Sequence, residues 1–166
     1  MKKILLLIGV CALLLIGCGS SEVTREDLNA RFFRNQYGDA KYTDLEAVVE
    51  ENASFYKESS YWEEVFCYRE SEWGDSEAAC RIYPLFHTDL TVYTEEDFKD
   101  VPENIILLAR NEIYARHGYI FEDTDLNHYF MGCEWYQPMY MKDEFDTELL
   151  NENEWDNLEL LVSLSE

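Results

Sequence analysis

The chain has 166 residues and a formal net charge of −22, with 35 acidic side chains against 13 basic ones. An acidic surface of this kind repels phosphate backbones and anionic lipid headgroups, which excludes nucleic acid as a natural partner and leaves little electrostatic attraction to a membrane. Aromatics make up 15% of the residues, too many for a disordered acidic tail, and the length suits one ordinary domain or a small pair.

Met1-Lys2-Lys3 and the apolar run Ile4–Ile16 have the layout of an export signal. The run is too short for a bilayer-spanning helix, which needs about 20 residues. It ends at Leu15-Ile16-Gly17-Cys18, the pattern at which a bacterial lipoprotein leader is cut and the cysteine is lipidated. The expectation is a signal peptide over 1–17, an N-terminal lipidated (palmitate-bearing) Cys18, and a short polar tether over 18–27. Cys11 lies inside the leader and would leave with it. An uncleaved anchor or an ordinary secretory peptide is the alternative.

Residues 28–90 read as helical or α+β. Asp44 can cap a helix from Leu45 to Asn52 with Leu45, Val48 and Val49 as its stripe, and Ser60 can cap one over Tyr61–Arg69, where Trp62, Val65, Phe66 and Arg69 fall at helical spacing. Strands over Glu64–Tyr68 and Arg81–Phe86 remain open, because β-branched and aromatic residues concentrate there. The turn-rich stretch Glu70–Ser76 is flanked by Cys67 and Cys80. In an exported protein this pair is favoured as a disulfide, worth about 3 kcal/mol if unstrained, with Cys133 left over. Three reduced, packed thiols are the alternative. Pro84 and His87-Thr88-Asp89 mark an expected boundary, so that a second unit runs over 91–166.

In that unit Thr94 caps a short helix at Glu95-Glu96-Asp97, and Pro102 opens a long one. Ile105, Ile106, Ala109 and Ile113 share an arc of about 100°, while Leu107, Leu108, Tyr114 and Ala115 fill much of the rest, so this helix should be buried. It nevertheless carries Arg110, Asn111, Glu112, Arg116 and His117, which implies a satisfied polar network inside the domain. Glu112 and Arg116 are spaced for an i,i+4 pair, and Gly118 stands where a helix enters the left-handed region. A third helix spans about Asp125–Met131. A last one has Asn151 and Glu154 as a cap pair and Trp155, Leu158, Leu161 and Val162 as its buried stripe.

The run Tyr114-Ala115-Arg116-His117-Gly118 resembles the signature of the YARHG domain family. The likeness extends to Tyr93-Thr94-Glu95-Glu96-Asp97 upstream and, downstream, to Phe121, Asp125-Leu126, Tyr129-Phe130, Trp135-Tyr136, Leu150-Asn151, Glu154, Asn157 and Leu161, so that it covers roughly Thr91 to Leu164. Cys133 departs from the family pattern, which more often shows small polar residues there. The resemblance implies an extracellular, surface-anchored bacterial protein and carries no catalytic residue with it. The structural motif is then Arg110, Asn111, Glu112, Tyr114, Arg116, His117 and Gly118.

No phosphate-cradling glycine loop, Gly-x-Ser-x-Gly turn or Cys-x-x-Cys pair is present, so no cofactor is expected. His87, His117 and His128 lack zinc spacing. Asp123, Asp125 and Asn127 alternate like the first ligands of a calcium loop and Glu134 lies at its twelfth place, but His128 stands where the tight glycine is needed, which favours a capped helix start. Tyr129, Trp135, Tyr136 and Tyr140 crowd one region as a candidate ligand surface, against the alternative that they are core. The combined expectation is a mainly α, non-enzymatic lipoprotein on the outer face of the cell membrane, binding or scaffolding an envelope partner. A small envelope hydrolase using Glu112 and His117, or a glycan or wall-polymer binder, is the alternative.

Overall fold

A computed structural model describes residues 23–51 and 58–165. The leader over 1–17 and the lipidation site Cys18 lie outside the described residues. Within these, the protein is mainly helical, with seven α-helices: α1 Arg25–Tyr37, α2 Tyr42–Glu51, α3 Tyr61–Trp73, α4 Glu77–Ile82, α5 Glu103–Arg116, α6 Thr124–Met131 and α7 Glu152–Ser163. No described helix is long and apolar enough to cross a membrane.

Local chemistry sets most of the boundaries. Thr24 and Asp27 form a reciprocal capping box that starts α1. Residues 25–27, expected in the tether, are therefore helical. The first turn of α2 already contains Asp44, whose N–H bonds the Lys41 carbonyl, so that helix starts ahead of the expected cap. Val49 is buried in it while Val48 is 43% exposed, which removes Val48 from the expected stripe. Ser60 precedes α3 but makes no side-chain cap; its hydroxyl and N–H both turn to Asp125. Helix α3 runs on to Trp73 and stops at Gly74, which is left-handed with φ +68°, so Glu70–Trp73 are helix rather than loop. Neither open strand reading is observed: Glu64–Tyr68 lies within α3, and of Arg81–Phe86 the first two residues end α4 while Tyr83–Phe86 are irregular.

One continuous core runs through both halves of the chain, from Phe32, Trp62 and Val65 through Leu85 and Phe86 to Ile105, Ile113, Phe130, Trp135 and Leu161. Helix α5 is its centre and packs on α7 and α3; α3 also meets α4 and α6. A smaller cluster of Val49, Ala78 and Ile82 seats α2 on α4. The stripe on α7 differs from the expected one. Its buried residues are Glu154, Asn157, Leu158 and Leu161, whereas Trp155 is 46% and Val162 40% exposed.

After α5, Gly118 reverses the chain at φ +82°, a backbone conformation open to glycine at little cost. Its carbonyl accepts the N–H groups of Met139 and Tyr140, and the Ile120 N–H bonds the Tyr140 carbonyl at 2.9 Å, forming an isolated parallel bridge between Tyr119 and Tyr140. Asp123 caps α6 by accepting the Leu126 N–H, which bears out the capped helix start. The expected caps at Thr94 and at Asn151 with Glu154 are also present.

The three thiols among the described residues are free. Helix α3 turns Cys67 to solvent, while Cys80 is buried on α4, and the expected Cys67–Cys80 bridge is not formed.

Candidate functional site

The segment between α4 and the turn at Glu95–Phe98 has no regular secondary structure, yet Leu85, Phe86, His87 and Thr88 are all buried. Buried backbone groups must find partners, and here side chains supply them. The Glu112 carboxylate accepts the Leu85 N–H at 2.8 and 3.0 Å and the Phe86 N–H at 3.3 Å. Arg116 donates to the Phe86 carbonyl at 3.1 Å and to the Thr88 hydroxyl at 2.9 Å. From α7, Asn157 donates to the Thr88 and Thr91 carbonyls at 2.9 and 2.8 Å and accepts the Tyr93 N–H at 2.8 Å. Asn151 and Asn153 both donate to the Asp89 carbonyl at 3.2 Å. The stretch expected to separate two units is thus held inside the core by α5 and α7.

Charge in this clamp is balanced locally. Arg116 lies 3.4 Å from Glu154, which is wholly buried, and 3.5 Å from Asp89; His117 Nε2 is 2.9 Å from both Glu154 oxygens. Burial pushes the Glu154 carboxyl up, but hydrogen bonds from His117 and the Asn151 N–H, together with the Arg116 charge, outweigh it and hold the group below its ordinary range. Glu112 has fewer compensating groups. Burial raises it to about 7 against the opposing pull of Arg116 and the Leu85 and Phe86 N–H groups. His87, fully buried, is pulled down to about 3 by burial and then by the charges of Arg116, Arg25 and Arg69, so it stays neutral and bonds Asn29 through Nε2 at 2.7 Å.

The structure therefore gathers Glu112, Arg116 and His117, but not as facing catalytic groups. Glu112 turns to Leu85 and Phe86, whereas His117 turns to Glu154. The expected i,i+4 pair of Glu112 with Arg116 is not made, because each is spent on the clamped segment or on α7. The other motif residues lie apart. Asn111 bonds back to the Leu107 carbonyl at 2.8 Å, Arg110 is half-buried, and Tyr114 packs edge-on against Phe145. Gly118 makes the reversal described above. The candidate ligand surface is overturned: Tyr129, Trp135 and Tyr136 are 1%, 4% and 7% exposed, with the Tyr136 hydroxyl donating to the Tyr119 carbonyl, and only Tyr140 is half-exposed. Helical packing brings those rings against Trp62 and Phe130, and hydrophobic burial outweighs any advantage of display.

Sequence reasoning also missed that Arg69 and Arg81 are buried. Arg69 is fully enclosed, with Nε and Nη2 on one Asp75 oxygen at 2.9 and 2.7 Å and Nη1 on the Tyr83 carbonyl at 2.8 Å. Its place on an apolar α3 stripe was the available signal.

Next to this centre opens a cleft of about 620 Å³, walled by Val23, Arg25 and Leu28 of the α1 end, Tyr68, Glu72 and Trp73 of α3, and the 91–101 stretch including Val92, Tyr93, Asp100 and Val101. Arg25 lies inside it with its guanidinium 3.5 Å from the Trp73 ring centroid, donating to the Leu85 carbonyl at 2.9 Å and 3.5 Å from Asp75. Burial, then the Arg69 charge, lowers its pKa to about 10, which leaves it protonated.

Fold and site together define a small helical module whose signature stretch clamps an irregular buried segment. The chain belongs to the YARHG domain family, whose profile matches residues 80–166. The match begins upstream of Thr91, within α4 at Cys80, and takes in the segment that Glu112 and Arg116 hold. No curated protein and no solved structure matches the chain.

Proposed function

We propose that this protein is a bacterial lipoprotein, held on the outer face of the cell membrane by Cys18, whose folded part binds or scaffolds an envelope partner. The observation that carries the reading is the way the motif's polar groups are consumed. Glu112, Arg116, His117 and Glu154 meet backbone groups and one another in the interior, which makes the signature a device for rigidity and leaves recognition to the surface. The leader layout and the Leu15-Ile16-Gly17-Cys18 pattern support the anchor, and the acidic surface leaves the acyl chains as the membrane attachment. The cleft supports recognition, because it is concave, part aromatic, and walled by Val23, close along the chain to the lipidated residue.

Expression with the leader, followed by fractionation, tests the anchor. Wild type should sediment with membranes, and Cys18→Ser should be soluble with an unchanged melting temperature. Membrane retention of a cleaved Cys18→Ser chain at physiological salt would overturn it. For the binding half, chemical cross-linking on intact cells should give discrete higher-mass adducts of the anchored protein. A cross-linked sample that contains the monomer alone would remove that half.

A further inference from the structure

The cleft by Trp73 already holds a guanidinium on an aromatic face, since Arg25 stacks there while Asp75 and the Leu85 carbonyl take its N–H groups. This occupant is part of the cleft wall, and it shares Asp75, 3.5 Å away, with Arg69, which holds the same carboxylate at 2.7 Å. The remaining lining is unevenly charged. Glu72, Glu96, Asp97 and Asp100 stand on the walls, with Arg25 the sole basic residue among them. Glu96 meets Lys99 at 3.3 Å, and Asp97 is tied into the Thr94 cap. Glu72 and Asp100 pair with no cation among the described residues, and both are exposed. Between these carboxylates lie apolar surfaces: Tyr68, whose phenol burial pushes up to about 12 and so keeps neutral, half-buried Val101, and Val92, which is 48% exposed.

We propose that this cleft is the docking site for a basic, partly aliphatic peptide segment of a partner protein, with lysine or arginine heads at Glu72 and Asp100 and aliphatic side chains on Val92, Val101 and Tyr68. Long cationic side chains bring an apolar stem and a charged tip in one residue, which matches walls of mixed apolar and acidic character. An acidic segment would meet uncompensated carboxylates and is rejected by the same surface. The proposal rests on the binding-module reading and deepens it.

The test uses the full-length chain in neutral detergent and a fluorescein-labelled octapeptide of alternating lysine and valine, with a glutamate–valine octapeptide as counterpart. Fluorescence anisotropy should show saturable binding of the first peptide and none of the second. Glu72→Gln with Asp100→Asn should weaken binding roughly five- to tenfold, the scale of two exposed charge pairs. Val92→Ser should weaken it about threefold through lost apolar contact. Glu148→Gln with Glu159→Gln removes equal charge from exposed positions outside the cleft and should leave affinity unchanged. Equal losses in the two double variants would reduce the effect to diffuse charge and overturn the proposal, as would no binding of the lysine–valine peptide by wild type. The latter result alongside cross-linked adducts on cells sinks the ligand class alone; the absence of both sinks the binding-module reading with it.

Discussion

Glu112 and Arg116, one helical turn apart on α5, grip opposite sides of the same backbone: Glu112 takes the N–H groups of Leu85 and Phe86, and Arg116 takes the Phe86 carbonyl. A helix can satisfy its own ladder but offers nothing to an irregular neighbour except side chains. Placing an acceptor and a donor at i and i+4 on the buried face lets α5 seat that neighbour without water. The Arg116 charge is balanced by Glu154 and Asp89, which explains why α7 buries a carboxylate on its inner face.

Arg116→Ala tests the clamp. It leaves Glu154 wholly buried with His117 as its nearest remaining partner and frees the Phe86 carbonyl, and breaking a buried pair in this way costs roughly 3–5 kcal/mol. That is a large share of the ~5–15 kcal/mol of an ordinary domain. Urea unfolding should show the loss as a lower midpoint, and the lysine–valine peptide should bind the folded fraction as tightly as it binds wild type. An unchanged midpoint with peptide binding abolished would move Arg116 from scaffold to site.

A comparison of two glycines separates backbone strain from crowding. Gly74 and Gly118 have φ of +68° and +82°, but a Cβ on Gly74 meets nothing within 4 Å, whereas one on Gly118 would lie 2.8 Å from Met139 Cε and 2.9 Å from the Gln137 carbonyl oxygen. Gly74→Ala should cost about 1–2 kcal/mol, the left-handed penalty alone. Gly118→Ala should cost more, and Gly118→Val more again, in thermal melts. Equal losses at the two alanine sites would show that the Gln137–Met139 stretch yields freely.

What the sequence made legible follows from how local each signal is. The cap pairs Thr94 with Asp97 and Asn151 with Glu154, and the reversal at Gly118, depend on residues three or fewer positions apart, and all were readable. Helix α1 was missed although Thr24 and Asp27 announce it, because just Leu28 and Phe32 of its residues are buried and no stripe stands out. The inner face of α7 was misassigned for a different reason. Apolar periodicity put Trp155 and Val162 inside, but the face is set by what it must hold, and the backbone at Thr88–Tyr93 needs Asn157 more than it needs another apolar side chain. Likewise His87-Thr88-Asp89 is polar in sequence, yet His87 and Thr88 are buried in space, because their partners come from helices far along the chain. The cleft beside Trp73 joins residues from α1, α3 and the 91–101 stretch, a juxtaposition that no spacing encodes.

Thiol reactivity distinguishes the observed arrangement from the bridge expected at first. Cys67 is exposed, Cys80 is buried with its thiol pushed up to about 11, and burial holds the Cys133 thiol well above its ordinary range. Maleimide labelling of the native protein, read by peptide mass, should modify Cys67 quickly and the other two only after denaturation. Denatured, unreduced protein that still protects both Cys67 and Cys80 would establish the disulfide.

The pH dependence of stability should carry two opposed and separable slopes. Glu112 is raised from 4.5 to about 7 in the folded state, so between these values the native chain holds a proton that the unfolded chain has lost. Its contribution is fully present below about pH 4.5 and is lost as pH rises through 7. His87 is lowered from 6.5 to about 3, so between these values the unfolded chain holds the extra proton, and stability is lost as pH falls below 6.5. From about pH 4.5 to 6.5 the two cancel, each amounting to about 1.4 kcal/mol per pH unit. Glu112→Gln should therefore show stability rising with pH across that window relative to wild type. His87→Gln, whose amide can still donate to Asn29, should show it falling. Because each variant is compared with wild type at the same pH, repulsion among the surface carboxylates largely drops out of the difference. Chemical denaturation at pH 4.5, 5.5 and 6.5 measures both slopes, and parallel curves for all three proteins would show that neither buried group titrates as its surroundings require.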